Sequence, residues 1–588
     1  WRAIAHAGHP TNPDGADYQD IQNNSFRISG GFRGEFDNGI GWDAALTYMQ
    51  VESTVVTNDL LVNRIQNALR GLGGAGCNPA TGTPGVGPCG YFNPFTNSLA
   101  VSAVNGAANP YYRGNVNPAV NNNPALVEWL YGTYTNVNTN NLLVADLVFN
   151  GETGIELGGG AIAWAAGAQY RYSRTREDWE NLGDVQATPC VDSIDDGLPI
   201  CSDPVGPFVF FGAQADLDVD RDVEALFAEV RLPFTDNFEV SAAVRHEEFG
   251  GQVGSTTNPK ISARWQALDW LAFRASAGST FRAPAQASVS PGSSKGVANI
   301  GGSYRAVVTN NNPGLQPETA KTYNLGILID TGAFRGSVDY FKFDFEDELV
   351  LEPTSAIFAS LNCANPAITA RFIFDGACSA ANVIGVSRFV VNGPDTKTSG
   401  LDFKAQYDFD NFFGTDMLDA RVSMGVEGTY LLTYDRSDFT LFGADNIVIE
   451  AAQDRVGRHE LIAEFYSYPR TRATGFINVN GGDWNLRYQL QFREGTEIIG
   501  PPCPASGASA ACRYDRATGT FSNVGKSENF WQHDLTGQYD LPWNATISAS
   551  IQNLLDEDPP FVQSMYNYDY TNGNPLGRTF KLGVKYRF

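Results

Sequence analysis

The sequence predicts an all-β protein: a transmembrane antiparallel β-barrel with long extracellular loops, represented by about 17 strands. Three observations predict it. Apolar and polar residues alternate along segment after segment, as strands with two different faces require. Many of these segments run about ten residues or more, enough to cross a bilayer as tilted strands. Their connections sort by length, with tight turns at one end of the sheet and nearly all the irregular chain at the other.

Alternation is plainest at the C-terminus, "FKLGVKYRF". Phe580, Leu582, Val584, Tyr586 and Phe588 fall on one face; Lys581, Gly583, Lys585 and Arg587 fall on the other. "WNLRYQLQFR" repeats the pattern, with Trp484, Leu486, Tyr488, Leu490 and Phe492 opposing Arg487, Gln489 and Arg493. "YNLGILID" aligns Tyr323, Leu325, Ile327 and Ile329. In "FKFDFE", Phe341, Phe343 and Phe345 are read as another lipid-facing row, opposed by Lys342, Asp344 and Glu346 toward a wet lumen.

Strands are expected near 25–37, 40–54, 139–150, 155–178, 222–234, 238–250, 259–268, 271–283, 319–331 and 335–350. Seven more are expected near 398–409, 417–434, 470–480, 484–496, 529–541, 544–556 and 577–588. Short turns fall at "DNG", "ETG", "TDN", "LDW", "TGA", "GGD" and "PWN". Long segments at 55–138, 179–221, 284–317 and 351–397 occupy the other end, the pattern of short periplasmic turns and long outer loops.

Composition sets bounds. The 588 residues hold 12% aromatics and 61 glycines. No run approaches the roughly 18 apolar residues of a membrane helix, which leaves a barrel open. A net charge of −25 argues against nucleic acid as a partner, since nucleic acid selects a basic surface. The start, "WRAIAHAGHP", lacks Met and a signal pattern, so upstream residues are expected.

The eight cysteines fall into local pairs, Cys77 with Cys89, Cys190 with Cys201, Cys363 with Cys378, and Cys503 with Cys512. The spacings are too wide for a zinc site, so loop-stapling disulfides made in an oxidising compartment are expected. Each is worth on the order of 3 kcal/mol in the chain-entropy model.

Several phrases, taken together and in order, resemble TonB-dependent outer-membrane receptors: "GSTFRAP" (278–284), "NPGLQPETAKTYNLGI" (312–327), "NLLDEDPP" (553–560) and "NGNPLGRTFKLGVKYRF" (572–588). "CGYFNPF" (89–95) resembles one branch of that family. The resemblance implies a bacterial outer-membrane location and energy-coupled import of a scarce ligand (siderophore, vitamin, oligosaccharide or peptide). It also implies lipid and lipopolysaccharide neighbours, and a terminal aromatic, Phe588, read by the assembly machinery. Residues 1–588 are then the β-barrel domain, as strands 6–22 of a barrel with twenty-two strands. Plug, TonB-contacting segment and about five strands would precede Trp1, and 577–588 would not close on 25–37.

Candidate site residues follow from parity and loop chemistry. Arg282 and Glu318 share lumen-facing parity with Arg274 and Asn324 and are expected to pair. Asp216, Asp218, Asp220, Asp222 and Glu224 lie at spacing two, read as a solvated lumen wall, with calcium at Asp216, Asp218 and Asp220 or a cationic ligand as alternatives. Asp192, Asp195 and Asp196 form a similar loop group. Aromatic loop positions Tyr111, Tyr112, Trp129, Tyr131, Tyr134, Phe208, Phe210, Phe211, Tyr566, Tyr568 and Tyr570 suit stacking on a ligand, or packing of loop on loop.

No enzyme is expected. "GLGGAG" (71–76) lacks the strand–turn–helix context of a dinucleotide site. His6, His9, His246, His459 and His533 form no metal-binding spacing, and no G-x-S-x-G occurs to support a hydrolase. The alternative to active import is a passive porin-like channel or an adhesive surface protein.

Overall fold

The computed structural model describes residues 19–94, 122–191, 205–251, 253–409, 420–460, 466–499, 512–515, 520–523, 525–562, 568–569 and 571–587. Eighteen strands pair in one sheet, and one of them is only the two-residue Gln453–Asp454, so seventeen make the wall. They are β1 (Gln19–Glu35), β2 (Gly41–Leu60), β3 (Tyr131–Leu157), β4 (Gly160–Asn181), β5 (Leu217–Thr235) and β6 (Phe238–Glu248). Next come β7 (Ser255–Leu268), β8 (Leu271–Arg282), β9 (Glu318–Asp330), β10 (Phe334–Glu346), β11 (Thr396–Phe409) and β12 (Arg421–Arg436). The wall ends with β13 (Thr471–Asn480), β14 (Trp484–Arg493), β15 (Phe530–Leu541), β16 (Ala545–Gln552) and β17 (Thr579–Tyr586).

Each strand is antiparallel to its neighbours in the chain, from β1 on β2 through β8 on β9 to β16 on β17. Among the described residues, no ladder joins β1 to β17. The turn expected at "ETG" lies elsewhere. β3 continues through those residues with a bulge between Glu152 and Glu156, and reverses at Gly158–Gly159. A side chain on either glycine would meet the backbone of Phe234 or Thr235, so only glycine permits this close approach.

Register carries parity around the wall. Phe26, Ile28 and Phe32 on β1 share a face with Leu46 and Tyr48 on β2, Leu143 and Leu147 on β3, and Tyr170 and Tyr172 on β4. The same face runs on through Leu226 and Val230 on β5, Leu325 and Ile327 on β9, and Phe580, Leu582 and Val584 on β17. Phe32 is 79% and Leu582 78% exposed. A continuous apolar band of this kind marks a lipid-facing surface. The opposite face is polar, with Arg171, Arg245 and Glu247 joined by ion pairs of 2.6 and 2.5 Å.

Two assignments of face are corrected by the same register. Phe341, Phe343 and Phe345 stand on the inner face, in line with Asp339, which pairs with inward Arg274. Lys342, Asp344 and Glu346 point outward. The acidic stripe on β5 also faces outward, continuing the face of Leu226 and Val230. Both charged groups lie toward the long-loop ends of their strands, and where an outer surface stands above the hydrocarbon it meets headgroups and water, so charge need not mark the lumen.

The segments 284–317 and 351–397 are not irregular. Ser293–Ile300, Ser303–Asn310, Leu349–Leu351, Phe372–Phe374 and Val383–Asn392 form a five-stranded sheet. Its core joins Ile300, Val307, Ile357, Ile368, Phe372, Val383 and Val386 to Leu441 of a hairpin in the next loop. At its centre Glu352 is fully buried. Its carboxylate accepts from Arg371 Nη1 and Nη2 at 2.7 and 3.1 Å, and from the backbone N–H of Phe389 and Phe442 at 2.9 and 2.8 Å. Arg371 also lies 4.7 Å over the Phe389 ring. The Cys363–Cys378 disulfide staples the same loop.

Two outcomes are expected. Leu325→Arg on the lipid face lowers stability by about 2–4 kcal/mol, whereas Asn324→Ser on the opposite face changes it by less than about 1 kcal/mol. Denaturant unfolding in lipid vesicles checks both. Glu352→Leu strands Arg371 as an unpaired buried cation and costs about 3–5 kcal/mol within this outer sheet. Limited proteolysis at residues 353–382 reads that loss.

Candidate functional site

The inner wall at the long-loop end is organised by carboxylates. Arg282 Nη2 lies 2.6 Å from Glu318 Oε2, and the Leu349 N–H donates to the same oxygen at 2.9 Å. The expected pair forms, and it ties two wall strands to the outer sheet. Further down the inner wall, Arg274 grips Asp339 in a two-pronged pair, 2.7 and 2.6 Å. Gly326 lies between them, where a Cβ would collide with the Asp339 carboxylate. The glycine makes room for the bridge.

Beside this pair is an inner-wall cavity of about 270 Å³, lined by Glu239, Ser241, Lys260, Ser262, Arg264 and Arg274 among others. Its lining carries three cations and one carboxylate; Arg274 is held by Asp339 and Glu239 by Arg231 at 2.8 Å, which leaves Lys260 and Arg264 as its cationic surface. On the next strand Phe341, Phe343 and Phe345 form an aromatic ladder, with centroids 5.7 and 6.1 Å apart. Gly400 opposes Phe341, and a side chain there would strike its ring. Cationic and aromatic surfaces thus adjoin on the inner wall.

The loop aromatics divide into packing and exposed groups. Tyr134 stacks on Phe211 at 4.0 Å, flanked by Phe208 and Trp179. Trp129 and Tyr131 pack against a core of Leu60, Ala68, Phe92, Leu126, Val127 and Leu130. Arg64 covers Trp129 at 5.2 Å. These five expected contacts serve loop-on-wall packing. Phe210 and Tyr304 differ: they meet edge to face at 5.9 Å and are 43% and 62% exposed. Phe561 and Tyr568 bridge within the last loop. Tyr111, Tyr112, Tyr566 and Tyr570 lie outside the described residues, as do Asp192, Asp195 and Asp196.

Along the acidic stripe, Asp218 is held by Arg174 at 2.7 and 2.5 Å, Asp216 accepts the Trp179 N–H at 2.9 Å, and Asp222 accepts the Tyr170 hydroxyl. Among the described residues, no group of three His, Cys, Asp or Glu side chains is arranged to hold a metal.

Cys77–Cys89 is bonded, as expected, beside the glycine-rich 71–76 turn that follows the short helix Val62–Leu69. Cys190 is also disulfide-bonded. Cys201, Cys503 and the side chain of Cys512 fall outside the described residues.

Three features were not legible as candidates: Trp179 within its cluster, Tyr304 against Phe210, and His459. Each acquires its role through residues distant in the chain, and no local spacing signals it. His459 is buried in a small sheet of Arg458–Glu460, Tyr466–Ser467 and Glu497–Ile499, with Nδ1 3.6 Å from Asp569. Burial pushes the imidazole pKa below its usual value, against the opposing pull of Asp569 and Glu460. Burial pushes the Asp569 carboxyl up, but donors from Thr571, Asn572 and Ser467 outweigh it and hold that pKa low.

With this geometry established, comparison with known proteins identifies the class. The sequence profile described as "TonB dependent receptor-like, beta-barrel" matches residues 4–554. The chain belongs to that family of β-barrel receptors. No curated protein matches the sequence significantly. Among solved structures, the chain is similar to a mutant of the ferric enterobactin receptor PfeA from Pseudomonas aeruginosa, with TM-score 0.54 and 14% identity over 97% of this chain and 62% of that one. It is also similar to the siderophore receptor PirA from Acinetobacter baumannii, with TM-score 0.54 and 12% identity over 98% and 63%. The pyoverdine outer membrane receptor FpvA from Pseudomonas aeruginosa PAO1 gives 0.52 and 10% over 97% and 62%. The chain therefore spans about 62% of the length of these structures, and identities this low show the shared fold alone.

The His459 environment yields a pH prediction. A base with a depressed folded pKa disfavours its proton in the folded state, so its contribution is complete above the unfolded value of about 6.5 and declines as pH falls below it. Asp569, depressed in its turn, keeps its contribution until pH falls below about 4. Protease protection of the loops that carry Arg458–Glu460 and Glu497–Ile499 is expected to weaken between pH 7.5 and 5.5. His459→Phe is expected to flatten that limb.

Proposed function

We propose that this chain is the barrel of an outer-membrane receptor for TonB-coupled import of a ferric siderophore. The observation that carries the ligand class is the inner-wall surface where Lys260 and Arg264 stand beside the Arg274–Asp339 pair and the Phe341–Phe343–Phe345 ladder. A ferric chelate built from oxygen-rich aryl groups presents negative charge and flat faces together. Cations attract the first, and rings stack on the second. The family membership supports energy coupling, and the ligands of the similar receptors, ferric enterobactin and pyoverdine, support the ligand class.

In this proposal the plug that contacts TonB, and the strands that complete the wall between β17 and β1, belong to the same receptor. Edge strands in hydrocarbon would leave backbone groups unsatisfied at several kcal/mol each. Loop aromatics such as Phe210 and Tyr304 would make the first contact, and the inner wall would hold the chelate afterwards.

Fluorescence titration of the receptor with ferric enterobactin, ferric pyoverdine and their iron-free forms tests this reading. Tight binding of at least one ferric form is expected. Phe343→Ala or Lys260→Ala is expected to weaken it by about tenfold, near 1.4 kcal/mol. Absence of binding by either ferric chelate, with native mass spectrometry returning a non-chelating ligand from source membranes, would overturn the ligand class.

A further inference from the structure

The wall is stepped at β5, and the step leaves a strand edge open. β4 pairs with β5 from Leu217 to Arg231. On the other side β6 reaches no higher than Glu224. Among the described residues, no backbone bond meets Leu217–Val223 from that side. The open edge is about 20 Å long at about 3.3 Å per residue. It stays open because the β6–β7 connection is short and low, reversing at Gly250, Gly251 and Gly254 with φ of +67°, +57° and +71°.

A cavity of about 700 Å³ runs along this edge. Every residue from Asp218 to Asp222 lines it, odd and even alike, so it opens onto the backbone edge and not onto one face. Phe249 and Val253 floor it, packed with Val223, and Gln286 and Pro313 close the far side. Gln286 is itself fixed by donating to the Ser173 hydroxyl at 2.7 Å. The edge also carries directional charge. Asp220, Asp222 and Glu224 point outward; Arg174 stands across from Asp220 but its guanidinium is gripped by Asp218, and Arg221 turns inward to donate to the Pro284 carbonyl at 2.8 Å.

We infer that this notch is a docking site for an extended, basic peptide, which adds as a strand to the free edge of β5. Main-chain hydrogen bonds supply the affinity of such a mode, and alternate side chains supply the specificity. A strand laid here places one set of side chains beside Asp220 and Asp222 and the other over Phe249 and Val253. The sequence it selects alternates basic with apolar residues. This site is separate from the inner-wall surface and does not depend on what that surface binds.

The test uses the full chain in detergent micelles and a fluorescein-labelled peptide, Lys-Val-Lys-Val-Lys-Val-Lys. Two relatives serve as controls: the Glu-Val analogue, and Lys-Val peptides N-methylated on alternate residues in either register. Saturable binding of the plain peptide is expected, with a loss of tenfold or more on N-methylation in one register and none detectable for the Glu-Val analogue. Hydrogen exchange across 217–223 is expected to be fast in the free receptor and slowed by the plain peptide. The double variant Asp220→Lys, Asp222→Lys, checked for folding by heat-modified gel mobility, is expected to bind at least tenfold more weakly. Equal binding of both N-methylated peptides, or absence of binding, overturns the inference. So does exchange at 217–223 already slow without peptide, since another part of the chain would then cover the edge.

Discussion

The constraint on which this structure depends is that hydrocarbon offers no partner to a backbone N–H or C=O. Every wall strand must therefore spend its polar backbone on its two neighbours over the full depth of the lipid. An unbroken antiparallel ladder follows, and with it an unbroken parity: if Phe32 faces outward on β1, so do Leu226 on β5 and Leu582 on β17. Where the wall rises above the lipid the constraint relaxes. Edges such as that of β5 can then stand open, and the faces change chemistry without a change of parity.

The inner and outer surfaces solve different problems. Inside, charges are joined within and across strands, as in Arg171–Glu247–Arg245 and Arg274–Asp339, because a wet wall of fixed charges is stabilised by local pairing. Above the wall, the loops fold by the ordinary rules of a soluble domain, with an apolar core and one buried carboxylate whose four donors come from three separate stretches of chain. That outer sheet stands at the long-loop end of the wall. Arg282–Glu318, sharing its carboxylate with Leu349 N–H, is the point where the two tiers meet.

Under the proposed function, roles would divide by depth. Exposed rings in the loops, Phe210 and Tyr304, would serve encounter. The cavity and the phenylalanine ladder would serve retention on the inner wall. The buried His459 lies in loops that connect β12–β13, β14–β15 and β16–β17, so protonation there acts on the upper tier and leaves the membrane-spanning wall untouched.

Much of this was legible in the residues alone. Alternation in 484–493 and 579–586 named both the strands and their lipid faces, because each segment lies within the depth of the belt. Equal parity placed Arg282 opposite Glu318. Turn chemistry at 37–39 and 331–333 counted the hairpins. What sequence could not reveal was depth and distant pairing. Alternation says that Phe341, Phe343 and Phe345 share a face but not which one; Asp339, gripped by Arg274 from two strands away, decided that they line the lumen. The same ambiguity sent the acidic stripe to the wrong side of β5. The outer sheet was hidden because its strands pair across segments far apart in the chain, Val307 with Val386 for one. Local patterning determined the strands and their two faces, since side-chain direction is a property of each residue's own backbone; only tertiary pairing decided which face was wet, since that depends on where each strand stops relative to the membrane.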